Sequence, residues 1–87
     1  MERTTLYFYT KSNCPLCDEA REVLEELKLA ERYTIVEKDI ESDDQLLEQY
    51  GLMIPVLELN GEIIQYGRFV KKDLNFRLNH VKFTESC

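Results

Sequence analysis

The chain has 87 residues, 44% of them apolar and 32% charged, a length that suits one compact domain burying roughly 60–65% of its unfolded surface. Its formal net charge of −6 opposes binding to nucleic-acid phosphates and to anionic membrane surfaces. No apolar run approaches the ~18 residues of a membrane span, and the N-terminal stretch lacks a signal-peptide pattern. We therefore expect a single domain over residues 1–87, with a loose tail at about 82–87, that stays in the cytoplasm without nucleic-acid or membrane partners.

The first half of the sequence predicts a strand, a helix and a second strand. Thr4–Thr10 is rich in β-branched and aromatic residues without clean alternation, which is typical of a strand buried on both faces. From Pro15 to about Leu29 apolar residues recur at helical spacing, and Pro15 suits the first helical position. Tyr33–Ile40 is a second β-branched segment, and a right-handed crossover makes the two strands parallel.

Two further helices are predicted. Ser42 followed by Gln45 has the form of a capping box for a short helix that ends at Gly51. The third helix is predicted from apolar residues at helical intervals near the end of the chain: Val70, Leu74, Leu78 and Val81.

A hairpin is predicted between the last two helices. Val56–Leu59 and Glu62–Tyr66 flank Asn60-Gly61, a pair that favours a two-residue turn because both central positions adopt positive φ. The full order β-α-β-α-β-β-α predicts an α/β fold with a mixed four-stranded sheet flanked by three helices.

Two cysteines, Cys14 and Cys17, stand three apart at the start of the first predicted helix. A structural metal site needs four ligands, and the other soft donors are His80, expected to be partly exposed, and Cys87 at the far end of the chain. A static disulfide would close a very short loop and stabilise little. Metal binding by one chain and a structural disulfide are therefore both disfavoured.

Redox exchange fits the position of the pair best. At a helix N-terminus the free N–H groups and the helix dipole favour the thiolate of Cys14 over its thiol. Cys17, one turn later and on the same side, is expected to be partly buried and able to form a disulfide with it. We predict that Cys14 is the attacking sulfur and Cys17 the resolving one.

Ile54-Pro55 immediately precedes a predicted strand, and the sequence by itself leaves the isomer of this peptide bond open. In a cis arrangement the Ile54 backbone would face the Cys14 sulfur and could pair with an extended substrate. Tyr66, Arg68 and Phe69 are expected to line the groove beside Pro55.

The segment "FYTKSNCPLC" resembles the active-site segment of glutaredoxins, and "CPLCDEA" with "YGLMIPVLELNGE" resembles small glutaredoxin-like proteins with a C-x-x-C-D signature. The resemblance implies a minimal thioredoxin fold, a nucleophilic Cys14, a resolving Cys17 and a cis Pro55. It also implies that Lys11 neighbours the thiol and a glutathione carboxylate, and that the Ile54 backbone pairs with the bound cysteine.

Two positions depart from the glutaredoxin pattern. Leu16 stands where glutaredoxins often carry tyrosine, and "QYGRFVKKD" replaces the segment that cradles the γ-glutamyl end of glutathione, although Gly67 retains a position of close approach. These departures weaken the case for glutathione as a partner. They do not weaken the case for disulfide exchange.

The expected function is that of a monomeric thiol–disulfide oxidoreductase with no bound cofactor and no metal. Its substrates would be disulfide-containing proteins or glutathione mixed disulfides, with glutathione as a possible co-substrate or a thioredoxin-reductase-type system as the reductant. The alternatives are a binding module whose cysteines share a metal or iron–sulfur cluster between two chains, and an interaction domain with vestigial chemistry. Cys87 is interpreted as incidental.

Overall fold

The computed structural model describes residues 4–80, which form a four-stranded sheet and three α-helices. In chain order these elements are β1 (Thr5–Thr10), α1 (Pro15–Glu26), β2 (Thr34–Asp39), α2 (Asp44–Tyr50), β3 (Val56–Leu59), β4 (Glu62–Tyr66) and α3 (Lys71–Asn79). Two short 3₁₀ turns lie at Leu29–Glu31 and Ile40–Ser42.

The sheet has the strand order β2-β1-β3-β4, which places β1 and β3 at its centre. β1 pairs with β2 in parallel and with β3 in antiparallel, and β3 pairs with β4 in antiparallel. The mixed four-stranded sheet and the element order predicted from the sequence are both confirmed.

Apolar side chains are buried on both faces of the sheet. The larger cluster joins the central strands to α1 and α3 and includes Leu6, Phe8, Ala20, Leu24, Leu57, Leu59, Leu74 and Leu78. On the opposite face Tyr9 stacks on Tyr50 of α2 with ring centroids 4.5 Å apart, and the Tyr50 hydroxyl donates to Glu58 at 2.9 Å. Burial, and next the charge of Glu58, raise the pKa of Tyr9 to about 12. α2 is therefore fixed to the sheet by aromatic stacking as well as by aliphatic contacts.

The hairpin forms where the sequence predicts it. Asn60 and Gly61 have φ values of 53° and 83°, the left-handed conformation that a two-residue turn of this kind requires at both positions. The strands on either side have the predicted bounds, and a register irregularity lies between Leu57 and Glu58.

The first helix and the second strand are shorter than predicted. α1 ends at Glu26 because Lys28 adopts a left-handed conformation with φ of 55°, so the prediction that the helix reaches about Leu29 is wrong. Leu29 instead begins a 3₁₀ turn and is fully buried. β2 comprises Thr34–Asp39, one residue less at each end than predicted.

The N-cap of α2 is Asp43, whose Oδ1 accepts the Gln45 backbone N–H at 2.8 Å. The predicted capping box on Ser42 is therefore wrong, since the Ser42 hydroxyl donates to the Asp39 carbonyl at 2.6 Å within the preceding turn. Asp43 competes successfully because a carboxylate also interacts favourably with the helix dipole. The predicted stop at Gly51, the C-cap of the helix, is confirmed.

α3 buries Leu74 and Leu78 against the core, and His80 at its C-terminal end is exposed and stacks on Phe76 with ring centroids 4.1 Å apart. Val81, the predicted tail and Cys87 lie outside the described residues. Within residues 4–80, no helix has the length and apolar character needed to cross a membrane.

The capping assignment predicts a difference between two neighbouring substitutions. Asp43→Ala should lower the free energy of unfolding by about 1 kcal/mol, because it leaves the N–H groups at the start of α2 without their side-chain acceptor. Ser42→Ala, the matched control, should cost less. Urea unfolding followed by circular dichroism measures both, and a larger loss in Ser42→Ala would contradict the assignment.

Candidate active site

The candidate site lies at the sheet edge where β1 ends and β3 begins. A four-residue loop, residues 11–14, leads from Thr10 to the first turn of α1. Val56 pairs with Tyr9 in the antiparallel register, so Pro55 lies beside the end of β1. The topology therefore brings the cysteine pair and the proline, far apart in sequence, to the same edge.

Cys14 is the N-cap residue of α1. Its backbone is extended, with φ of −121° and ψ of 101°, and its Sγ accepts the backbone N–H of Cys17 at 3.1 Å. Its carbonyl accepts the Asp18 N–H at 3.1 Å. Pro15 occupies the first helical position, where the missing N–H costs nothing. The half-buried sulfur of Cys14 therefore occupies the place of the oxygen in an ordinary helix cap.

Cys17 is buried, with 1% of its surface exposed, more completely than the sequence predicts. Burial, followed by the hydrogen bond to Cys14, raises the pKa of its thiol to about 12, while the Lys11 backbone N–H and the charge of Arg21 act in the opposite direction. Both cysteines are free thiols. The two sulfurs therefore have different environments: one is partly open to solvent and accepts a backbone N–H, and the other is enclosed and neutral at pH 7.

A network of side chains behind the cysteine pair was not predicted from the sequence. Arg21 donates through Nε to Glu37 at 3.3 Å and through Nη2 to the other oxygen of the same carboxylate, while its Nη1 contacts Asp18 at 3.0 Å. The buried Thr10 donates to Glu37 at 3.1 Å. The hydrogen bonds from Arg21 are the main reason why the pKa of Glu37 lies below its ordinary value. Burial of the carboxylate is the next largest effect and acts in the opposite direction. The one signal of this network in the sequence was the position of Arg21, four residues after Cys17.

An open pocket of about 410 Å³ adjoins this network, lined by Thr10, Lys11, Ser12, Arg21, Glu37 and Asp39. The exposed Lys11, three residues before Cys14, is one of the residues that line this pocket. The pocket is strongly polar and carries both signs of charge. Within residues 4–80, no group of three or more His, Cys, Asp and Glu side chains is arranged to bind a metal ion.

The other predicted substrate-binding residues lie together around the start of β3. The Ile54–Pro55 peptide bond is cis, as the resemblance implies. Gly67 has φ of +75°, and its N–H donates to the carbonyls of Pro55 at 2.9 Å and of Met53 at 3.1 Å. A Cβ at Gly67 would meet no heavy atom within 4 Å, so its φ, and not close approach of the chain, favours glycine here.

The backbone of Ile54 is unusual because it lies beside the sheet but outside the ladder. Within residues 4–80, neither its N–H nor its C=O bonds to another residue, and its side chain is half-buried. Such a position can donate to and accept from one residue of an extended chain.

One prediction about the groove is wrong. Phe69 is 5% exposed and packs in the core against Phe8, with ring centroids 5.9 Å apart, because the chain turns inward after the left-handed Gly67. Tyr66, which is 56% exposed, and the exposed Arg68 remain available at the surface.

The raised pKa of Cys17 predicts its alkylation behaviour. In a Cys14→Ser variant, native-state alkylation of Cys17 should keep accelerating as the pH rises through 9.0, the ordinary pKa of a thiol, because burial, the largest cause of the raised pKa of Cys17, remains in this variant. Mass spectrometry of peptides separates Cys17 from Cys87 in the same sample. A rate that levels off near pH 8 would contradict the burial argument.

The Arg21–Glu37 pair predicts a pH-dependent contribution to stability. Because the pKa of Glu37 is lowered in the folded state, the contribution is fully present above the ordinary value of 4.5 and is lost as the pH falls through the lowered value. The side chains are 40% and 41% exposed, so the effect at pH 7 should be about 1 kcal/mol or less. Urea unfolding of Arg21→Gln, Glu37→Gln and the double variant should give a coupling free energy at pH 7 that shrinks at pH 3. Equal coupling at both pH values would contradict the assignment.

Comparison with solved structures gives related folds. A structural-genomics target protein from X. campestris superimposes with a TM-score of 0.77 at 29% sequence identity, covering 88% of this chain and 99% of that chain. A malarial protein gives a TM-score of 0.65 at 13% identity, covering 90% and 96% of the two chains. A thioredoxin variant from Halobacterium salinarum gives 0.56 at 18% identity, covering 90% and 72%. The predicted minimal thioredoxin fold is therefore confirmed.

The family comparison agrees with the resemblance noted in the sequence. Residues 5–79 match the family described as Glutaredoxin-like domain (DUF836), a range that contains both cysteines, Pro55 and every described strand and helix. A glutaredoxin-like domain on a thioredoxin fold supports a thiol redox-type function in general. The chain belongs to the Glutaredoxin-like domain (DUF836) family.

Proposed function

We propose that the protein is a thiol–disulfide oxidoreductase that works through both cysteines of its C-x-x-C pair. The observation that carries the proposal is the hydrogen bond from the Cys17 backbone N–H to the Cys14 sulfur, 3.1 Å long, at the start of α1. A donor in this position favours the charged form of the sulfur, and the charged form is the nucleophile in disulfide exchange.

In the first step the Cys14 thiolate attacks one sulfur of a substrate disulfide. A Cys14–substrate disulfide forms, the substrate S–S bond breaks, and the other substrate sulfur leaves with the electron pair. The hydrogen bond from the Cys17 N–H and the dipole of α1 both act on the Cys14 sulfur. Cys17 differs because its side chain is enclosed, and burial opposes its charged form.

In the second step Cys17 attacks the sulfur of Cys14. The Cys14–Cys17 disulfide forms, and the bound substrate sulfur leaves as a thiol or thiolate, so the substrate has gained two electrons in total. A buried, protonated Cys17 does not compete for substrate in the first step. Its place one turn along the same helix brings it within reach once the mixed disulfide exists.

The substrate backbone is proposed to bind beside the cysteine pair. The N–H and C=O of Ile54, which have no partner in the described part of the chain, offer one donor and one acceptor to an extended segment. Gly67 lies next to this position, since its N–H is bonded to the Pro55 carbonyl and a Cβ built on it would meet open space. The Pro55 side chain is fully buried, so its backbone and not its ring is the part proposed to adjoin the substrate. Lys11 offers a positive charge at the polar pocket.

The substrates that fit this site are disulfide-containing proteins and glutathione mixed disulfides. The Cys14–Cys17 disulfide would then be reduced again by glutathione or by a thioredoxin-reductase-type system. We propose a monomer that acts in the cytoplasm and needs neither a bound cofactor nor a metal, because the exchange itself balances electrons between the sulfurs.

Two serine substitutions separate the roles of the cysteines. On a Cys87→Ser background, Cys14→Ser should abolish reduction of a glutathionylated peptide, because it removes the nucleophile. In the Cys17→Ser variant Cys14 should still attack the glutathionylated peptide, but a covalent adduct on Cys14 should accumulate because the resolving thiol is missing. Intact mass and peptide mapping score the adduct.

The Cys87→Ser protein with both active-site cysteines is the control and should keep full activity. Adduct formation on Cys17 in the Cys14→Ser variant at the wild-type rate would reverse the assigned roles. Absence of any reaction with peptide, protein and glutathione disulfides in the control protein would overturn the proposed function.

A further inference from the structure

Arg21 lies one helical turn after Cys17, on the same face of α1. The two residues are four apart, the spacing that places side chains on the same side of a helix. The guanidinium lies over the Phe8 ring, 5.9 Å from its centroid, and Phe8 is in the central strand β1. Arg21 therefore bridges from the helix toward the sheet, on the same side as the buried thiol.

The position of the guanidinium is fixed from both sides. Glu37 accepts from Nε and Nη2, and Asp18 accepts from Nη1. Glu37 is itself oriented by the buried Thr10 hydroxyl at 3.1 Å. Because its pKa is lowered, Glu37 keeps its negative charge and its hold on Arg21 throughout the neutral range.

The groups that act on the Cys17 thiol come from α1 and from the loop after β1. On α1 these are the Cys14 sulfur, which disfavours a second negative charge, and the Arg21 cation, which favours it. From the loop after β1 the Lys11 backbone N–H also favours the thiolate. Glu37 of β2 and Asp18 of α1 face Arg21 itself, so loss of the arginine would leave two unpaired carboxylates on this side of the site.

We infer that Arg21 is a positioning residue for the resolving step, in which its fixed positive charge supports the Cys17 thiolate as that sulfur attacks the Cys14–substrate disulfide. The inference rests on the proposed function. In this step Cys17 loses its proton and forms a bond to Cys14, the Cys14–substrate bond breaks, and the leaving substrate sulfur takes the electron pair and a proton. Arg21 itself gains and loses nothing.

The two steps can be timed separately with dithiobis(nitrobenzoate), an aromatic disulfide that releases one coloured thiolate at each attack. On the Cys87→Ser background, a first phase that depends on reagent concentration reports the attack by Cys14. A second phase that does not depend on concentration reports resolution by Cys17. Stopped-flow absorbance from pH 6 to pH 10 gives both rates.

Arg21→Gln should slow the second phase by about threefold or more at every pH, because the positive charge that favours the Cys17 thiolate has been removed, and should leave the first phase within about twofold. Arg21→Lys should restore most of the second-phase rate because it keeps the charge. Arg77→Gln on α3, which removes the same charge elsewhere on the surface, should change neither phase.

Three outcomes would overturn the inference: an unchanged second phase in Arg21→Gln, equal slowing of both phases, or no rescue by lysine. The proposed function fails separately. If Cys14→Ser keeps the first phase, or if Cys17→Ser keeps the second, then the roles of the cysteines are wrong whatever Arg21 does.

Discussion

The hydrogen bond from the Cys17 backbone N–H to the Cys14 sulfur is the interaction on which the site depends. The first N–H groups of any helix lack a partner within the helix, and a side chain at the N-cap normally supplies one. Here a sulfur does so. Pro15 contributes no N–H of its own, so the donor from Cys17 is directed at the cap. The bond that caps α1 is therefore the same bond that, in the proposed function, acts on the attacking sulfur.

The sheet determines how differently the two sulfurs behave. Cys17 is enclosed within the molecule, whereas Cys14 is half-buried at the end of the sheet. Burial disfavours a thiolate on Cys17, and in the proposed function this difference leaves Cys14 as the sulfur that reacts first. Arg21 and the Lys11 backbone N–H oppose this burial effect. In the proposed function these opposing effects keep the Cys17 thiol enclosed while leaving it able to attack once the mixed disulfide has formed.

Much of the fold could be predicted because its signals are local. Asn60-Gly61 requires positive φ at both positions, and Pro15 fits only the first turn of a helix. The left-handed Lys28 and the choice of Asp43 over Ser42 as the N-cap could not be predicted, because each depends on small differences between neighbouring residues that the pattern of apolar positions does not contain.

The candidate site was only partly predictable for a different reason. Cys14, Cys17 and Pro55 could be predicted from a motif and a position in the chain. The contact between Arg21 and Glu37 spans 16 residues and exists only because the parallel register places Glu37 opposite Phe8, so it could not be derived before the pairing of β1 and β2 was known. Phe69 was misplaced because the inward turn after Gly67 has no local signal.

The most direct test of the central claim is the redox midpoint of the Cys14–Cys17 pair in glutathione buffers, with mass spectrometry of the quenched species. A working Cys14–Cys17 pair should give one two-electron transition, about 30 mV per tenfold change in the ratio of disulfide to dithiol, that converts two free thiols into a single Cys14–Cys17 disulfide. Persistence of both thiols across the whole range, or a disulfide that joins other partners, would contradict it.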